Sequence, residues 1–151
     1  MKERIREVVG VELETLRKRI IENHEQAGQV ASGRTRDSLR VELSEDGGAL
    51  WGRKAFAVLE TGRKPGRVPK GFRDIILQWV IDKGVTVKNP KSFAFLVARK
   101  IAREGSLLYR QGGGKNIYSK EVQEAVERIT KEAAGIFEAK IQTINLNFNK
   151  E

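Results

Sequence analysis

Two stretches of the sequence place apolar residues three and four positions apart, which is the spacing of an amphipathic helix. In residues 1–26 the apolar positions are Ile5, Val9, Leu13, Leu16 and Ile20. The second stretch follows Ser119, a residue that can cap a helix, and its apolar positions are Val122, Val126, Ile129, Ala133, Ile136 and Phe137. The pattern therefore predicts two long helices, each packed against the core through one face.

Two shorter core helices are predicted between the long ones. The first ends near Gly84, which suits a left-handed C-cap, and its apolar residues are Phe72, Ile75, Ile76, Trp79 and Val80. The second is expected to start with Ser92 as its capping residue and to end at Gly105. The residues that we expect it to direct inward are Phe93, Leu96, Val97 and Ile101.

Alternation with a period of two predicts a β-hairpin. Its first strand carries Leu39, Val41 and Leu43 between polar residues, and Asp46-Gly47 is a hairpin turn signal. The returning strand is Ala49-Leu50-Trp51, and we expect Trp51 to pack beneath the first helix.

A further alternating segment places Ile144, Leu146 and Phe148 between asparagines. This pattern is typical of a strand with one buried face. Such a strand can pair with the edge of its own sheet or with a neighbouring subunit, and both alternatives remain open.

Together these elements predict an α+β fold in which residues 1–151 form a single domain. A small antiparallel sheet is packed by a long N-terminal helix, shorter core helices and a long C-terminal helix, and the C-terminus is strand-like. Small residues and glycines predict flexible segments near residues 27–36 and 111–116. A chain of this length is expected to bury roughly two thirds of its unfolded surface around one core.

A loop rich in glycine, proline and basic residues follows the apolar run of Phe56, Val58 and Leu59, which we interpret as a buried anchor. The residues expected to shape the loop are Glu60, Gly62, Pro65 and Gly66. Glycine accepts a positive φ, and proline prevents the segment from pairing as a central strand. No acidic residue separates the basic ones, which are Arg63, Lys64, Arg67, Lys70 and Arg73. This loop is predicted to face an anionic partner or solvent.

The distribution of charge along the chain also indicates that the region around the basic loop is a contact surface. The chain has a formal net charge of +9. Both terminal regions are nearly balanced, whereas residues 28–118 hold eighteen basic and eight acidic side chains. An anionic partner would therefore be met in the middle of the chain, although a solubilising surface would have the same composition.

Few residues offer candidate chemistry. The absence of cysteine excludes disulfides, thiolate metal sites and a cysteine nucleophile. His24 is the only histidine, and we expect it to be solvated or to cap a helix end. The glycines at 112–114 do not form a phosphate loop, because Lys115 is followed by Asn116 rather than serine or threonine.

Glu60 is the acidic residue of greatest interest, and a turn-stabilising role, as acceptor for backbone N–H groups or for Arg63, is favoured over catalysis. The sequence thus predicts a protein that is not an enzyme, with no catalytic residue, cofactor or metal. No apolar stretch approaches the length of a membrane span.

Three further segments have a recognisable pattern, and they are Ser32-Gly33-Arg34-Thr35-Arg36-Asp37-Ser38-Leu39-Arg40-Val41, Phe56-Ala57-Val58-Leu59-Glu60-Thr61-Gly62-Arg63 and Phe93-Ala94-Phe95-Leu96-Val97-Ala98-Arg99-Lys100-Ile101-Ala102-Arg103-Glu104-Gly105. They resemble segments of the tail-component or tail-completion proteins of tailed double-stranded DNA phages. The likeness spans roughly residues 1–110. The glycines at 112–114 and the strand-like end depart from the family pattern.

This resemblance implies a structural subunit of the virion, made in the host cytoplasm, that forms a homo-oligomeric ring at the head-to-tail junction or the tail end. Implied partners are other copies and phage proteins such as portal, connector or tail tube, with no membrane. Candidate contacts between subunits are Arg34, Arg36, Ile144, Leu146 and Phe148.

The basic loop could contact packaged DNA through phosphates, or acidic surfaces of adjacent structural proteins. The alternative function is that of a free-standing, sequence-nonspecific nucleic-acid-binding protein. Residues 62–67 are similar to minor-groove hooks, but the Arg-Gly-Arg-Pro core of such hooks is absent.

Overall fold

The computed structural model describes residues 1–144 and has the mixed α and β architecture that the sequence predicts. The elements, in chain order, are α1 (Lys2–Gln26), α2 (Arg34–Asp37), β1 (Arg40–Leu43), β2 (Gly48–Trp51), a 3₁₀ helix (Lys54–Val58), α3 (Phe72–Asp82), α4 (Pro90–Glu104), α5 (Leu107–Arg110) and α6 (Ser119–Gln142). The predicted terminal strand falls on residues 145–151, which lie outside the described residues, and Ile144 just before them is exposed.

The two long helices, α1 and α6, pack against each other in antiparallel orientation. Near the C-terminal end of α1, the Asn23 amide donates to the carbonyl oxygen of Ile117, which precedes α6. In the first half of α1, the Glu12 carboxylate lies 2.7 Å from Nε of Arg128, which is in the third turn of α6. The first core cluster fills the space between these helices and the hairpin, and its buried members are Leu13, Leu16, Ile20, Leu39, Ile117 and Ala125.

The hairpin of β1 and β2 packs on α1 through one face. Val41 and Leu50 are cross-strand partners, and both pack against the first core cluster. A Cβ placed on Gly48 would lie 2.7 Å from Cδ1 of Leu13, so β2 approaches α1 at a distance that a larger residue would disturb. The prediction that Trp51 packs beneath α1 is wrong. Neighbouring residues of a strand point to opposite faces. Because Leu50 is directed to α1, Trp51 points away from it and is 51% exposed.

A second core cluster lies between α3 and α4 and consists of Ile76, Val80, Ala94 and Ala98. Two alanines four residues apart form the contact stripe of α4, so the predicted inward position of Leu96 is wrong, and its side chain is exposed.

Ser92 does not cap α4 as expected. The carboxamide of Asn89 accepts from the Ser92 N–H at 3.0 Å, and Pro90 occupies the first turn. The predicted ends near Gly84 and at Gly105 are confirmed.

The chain exposes more surface than its mass predicts. Its accessible area is 11190 Å², whereas a compact monomer of this mass would expose about 7,700 Å². Relative to an unfolded chain it buries about 55% of the surface, so the expected two thirds is wrong. The physical reason is that the buried residues form two small clusters instead of one large core.

The first cluster provides a test of this core. Ile117 is 1% exposed, and we expect Ile117→Ala to lower the free energy of unfolding by about 2–5 kcal/mol, because it leaves a cavity between α1 and α6. The matched control is Ile81→Ala on α3, where the side chain is 60% exposed and the loss should stay within about 0.5 kcal/mol. Urea unfolding monitored by circular dichroism measures both, and equal losses would contradict the assignment.

Candidate interface at the basic loop

The loop between the 3₁₀ helix and α3 is fastened to the end of α4 and the start of α5. The Arg63 N–H donates to Oγ of Ser106 at 2.9 Å, and the Ser106 N–H donates to the Arg63 carbonyl at 2.9 Å. Further along, the Gly66 N–H donates to the carbonyl of Ala102 at 2.8 Å. These bonds hold the backbone of the loop on a helical support.

Glycine is required where the loop meets this support. Gly62 has a φ of 75°, and a Cβ there would lie 2.3 Å from the backbone nitrogen of Tyr109. Gly105, on the facing segment, has a φ of 84°, and its Cβ would lie 2.8 Å from the Arg63 carbonyl oxygen. The predicted positive φ of Gly62 and Gly66 is confirmed. Pro65 also lies at this contact, 3.2 Å from the position of a Gly105 Cβ.

Glu60, at the start of the loop, caps the N-terminus of α6. Its carboxylate accepts from the backbone N–H groups of Ile117 at 3.0 Å, Tyr118 at 2.6 Å and Ser119 at 2.7 Å, and also from the Ser119 hydroxyl. Backbone N–H donors were expected for Glu60, but they belong to a distant helix rather than to its own turn. The prediction that Ser119 is the cap is wrong, because Ser119 is the first residue of α6 and donates to Glu60.

The surroundings of Glu60 favour its ionised form. Burial acts to raise the pKa of the Glu60 carboxyl, but the hydrogen bonds from Ser119, Tyr118 and Ile117 outweigh it, so that the pKa lies below the ordinary value for glutamate. The positive end of the α6 dipole acts in the same direction.

His24, on α1, contacts the segment that precedes the loop. The prediction of a solvated or capping histidine is wrong, since the side chain is 2% exposed. Its Nδ1 lies 3.2 Å from Oε1 of Gln29, and Nε2 of Gln29 donates to the Leu59 carbonyl at 2.7 Å. The ring also contacts Phe56, with 5.8 Å between centroids. Phe56 and Leu59 therefore anchor the segment as expected, whereas Val58 is exposed and does not.

The five basic side chains of the loop have different roles. Arg63 is not presented outward, because its guanidinium lies over the Phe72 ring at 5.2 Å and donates to the Arg67 carbonyl at 3.0 Å. Arg73 lies 3.7 Å from the Asp74 carboxylate. The side chains of Lys64, Arg67 and Lys70 are exposed. Those three and Arg73 are the exposed cations of the loop.

An apolar cleft of about 460 Å³ adjoins the loop between α3 and α4. Its charged lining residues are Arg73, Asp74 and Arg99, and its apolar lining consists of Val68, Pro69, Phe72, Phe95, Ala98 and Ala102. Residues 62–110, which comprise the loop, α3, α4 and α5, contain twelve basic and three acidic side chains. This excess of nine positive charges equals the net charge of the whole chain, and it lies within the wider range of residues 28–118 named from the sequence. We refer to residues 62–110 as the basic half.

The other candidate contacts lie apart from the loop. Arg34 is 3.7 Å from the Asp82 carboxylate on α3, and Arg36 pairs with Glu25 at 3.1 Å and Asp37 at 2.7 Å. These intrachain pairs engage both arginines. Of the glycines at 112–114, Gly113 lies against the loop, since a Cβ there would lie 3.1 Å from Cα of Thr61. Leu146 and Phe148 lie outside the described residues.

Comparisons of the chain with protein-family models, with curated proteins and with solved structures find no match. Among residues 1–144 no group of three or more His, Cys, Asp or Glu side chains has a metal-binding arrangement. No helix in this part of the chain is both long and apolar enough to cross a bilayer.

The cap on α6 makes a pH-dependent prediction. Because the pKa of Glu60 is lowered in the fold, its contribution to stability is present above the unfolded pKa of about 4.3 and is lost as the pH falls through the folded value. We expect Glu60→Gln to destabilise the protein at pH 7 by about 0.5–2 kcal/mol and to flatten the pH dependence of stability between pH 5 and the acid limit. Urea unfolding over pH 3–7 measures both, with Glu45→Gln in the exposed hairpin turn as the control. Identical pH profiles for Glu60→Gln and the wild type would refute the cap.

The contact at Gly62 makes a second prediction. Gly62→Ala should cost more than the ~1 kcal/mol typical of alanine at a positive φ, because its Cβ would also meet backbone atoms of Tyr109. Gly84→Ala is the matched control, with a φ of 66° and open space around the Cβ. The melting temperatures should fall in the order wild type, Gly84→Ala, Gly62→Ala. Equal melting temperatures for the two variants would show that the loop does not rest on α5 in solution.

Proposed function

We propose that this protein is a non-enzymatic structural subunit of a phage virion, and that copies of it form a ring at the head-to-tail junction or the tail end. The observation that carries the proposal is the large accessible surface of the single chain, 11190 Å². It exceeds the surface of a compact monomer by roughly 3,500 Å². The seven residues outside the described part would add at most about 1,100 Å² even if fully exposed.

The exposed surface includes apolar side chains on several elements. Large apolar residues that are more than one third exposed occur on α1, the hairpin, α3, α4 and α6, and they include Val11, Trp51, Ile75, Leu96 and Val126. Exposed apolar side chains mark a partner surface where they are contiguous, and we propose that these side chains lie in the contacts between subunits. A subunit that assembles in a ring needs this area on two sides, because each copy contacts two neighbours.

The charge distribution makes the two sides unlike each other. The basic half carries the whole net charge, while the α1–α6 pair and the hairpin are nearly balanced. Unlike surfaces favour head-to-tail contacts, which close into rings when the rotation between copies allows it. The resemblance of residues 1–110 to tail-completion proteins supports the same assembly.

Within such a ring, Lys64, Arg67 and Lys70 would meet polyanionic surfaces. DNA in the lumen would offer phosphates, and neighbouring portal, connector or tail-tube proteins would offer carboxylates. Both contacts are electrostatic and require no reading of sequence. The virion, after synthesis in the host cytoplasm, is the proposed location.

One observation favours a second candidate, a sequence-nonspecific nucleic-acid-binding protein. Twelve basic side chains lie within the 49 residues of the basic half, which is the electrostatic footprint of such proteins. This candidate would act as a monomer, and its affinity for duplex DNA would fall with a log-log salt slope of about −0.9 per phosphate neutralised.

Sedimentation velocity with mass measurement distinguishes the two. We expect the chain, alone at high concentration or with a portal or tail-tube partner, to give discrete oligomers that persist at a salt concentration that abolishes DNA binding. The variant Lys64→Glu/Arg67→Glu/Lys70→Glu should weaken any DNA binding far more than a control with three exposed lysines reversed on the balanced helices, Lys2→Glu/Lys18→Glu/Lys131→Glu. A persistent monomer with salt-dependent DNA binding would replace the first proposal with the second.

A further inference from the structure

An open apolar groove runs between β2 and α6, with α1 as its floor. Its volume is about 460 Å³. The floor is formed by Leu13, Leu16 and Ile20, one wall by residues 48–50 of β2 and the other by the first turns of α6. Val126 on that second wall is 56% exposed. The groove is thus an opening into the first core cluster.

The strand that forms one wall offers backbone groups as well. Within the described residues the sheet has the order β1–β2, so β2 is paired along one side only. The other side presents N–H and C=O groups that a further extended segment can bind. Among residues 1–144, Arg53 is the only charged residue that lines the groove. The site therefore suits an uncharged, apolar, extended segment.

We propose that residues 145–151 of a second copy of this chain occupy the groove. This inference rests on the proposed assembly into a ring, and it names the contact that joins neighbouring copies. Leu146 and Phe148 are separated by one residue, so in an extended conformation both side chains would point to the same face. The alternating asparagines, Asn145, Asn147 and Asn149, would then face outward.

The apolar residues Leu146 and Phe148 of the same chain can reach no further than the near edge of their own groove. The end of α6 lies beside the start of α1, where Met1 and Thr143 line a common pocket. From Thr143 back to Val126 is a distance of about 25 Å along the helix axis, and even to Ile129 it is about 21 Å. Five extended residues from Thr143 to Phe148 span at most about 18 Å. Leu146 and Phe148 of the same chain therefore stop short of the inner part of the groove, beside Val122 and Ile20, whereas the same residues of another copy are not limited in this way.

The absence of cysteine from the chain allows a direct test. Two single-cysteine variants, Val126→Cys in the groove and Phe148→Cys in the segment, are distinguished by an affinity tag on one of them, mixed and mildly oxidised. We expect a mixed disulfide in several-fold higher yield than with the control pair Glu45→Cys and Phe148→Cys, since Glu45 lies in the exposed hairpin turn. Val122→Cys, one turn earlier in the same wall, provides a second register.

Two further measurements decide the inference. In the double variant Val126→Cys/Phe148→Cys at high dilution, an intramolecular disulfide would overturn it, because the segment would have reached its own groove. A chain ending after Ile144 should lose the oligomers seen with the full chain. Oligomers that survive this truncation would overturn the inference and leave the ring proposal standing. If the chain forms no discrete oligomer but still gives the mixed disulfide, the ring proposal is overturned and the contact between groove and segment is supported.

Discussion

The Glu60 carboxylate holds together the parts of the fold on which the basic loop depends. It closes the N-terminus of α6 through three backbone N–H groups, while the Glu60 carbonyl accepts from the Lys115 N–H at 3.3 Å and the preceding Leu59 carbonyl accepts from Gln29. Two consecutive residues thus connect the end of α1, the start of α6 and the entry to the loop. A carboxylate is suited to this position because it satisfies orphan N–H donors and interacts favourably with the helix dipole. The loop is therefore presented from a fixed base.

The contacts that fix the loop act against electrostatic repulsion among its basic residues. Many like charges within the basic half repel one another, and this repulsion opposes a compact arrangement of the loop and helices. Hydrogen bonds between Arg63 and Ser106, and the packing of the Arg63 guanidinium on Phe72, hold the backbone in place against that repulsion. An anionic partner would relieve the repulsion without rearranging the loop. Preorganisation of this kind reduces the entropy lost on binding.

The sequence predicts the helices and the hairpin well, because their periodicity reflects which faces are buried. It fails where a contact comes from far along the chain. Glu60 caps a helix that begins 59 residues later, so local capping rules pointed to Ser119 instead. His24 is buried by Phe56 and Gln29, which no pattern around the histidine reveals. At the candidate site, composition identified the loop, but the inward turn of Arg63 depends on Phe72 and could not be read from spacing.

The area that a ring would bury can be compared with the surface that the chain exposes in excess. If residues 145–151 are counted as fully exposed and their area is subtracted, the chain still exposes roughly 2,400 Å² more than a compact monomer of its mass. A standard interface removes about 800 Å² from each partner, so two neighbours in a ring would remove about 1,600 Å², and obligate interfaces remove more. A contact with duplex DNA buries a comparable area of about 1,000–2,500 Å² but is largely polar and basic. The exposed side chains of Val126 on the groove and Leu96 on α4 are apolar. Phosphates would leave that area uncovered, and for this reason we propose protein neighbours in preference to nucleic acid alone.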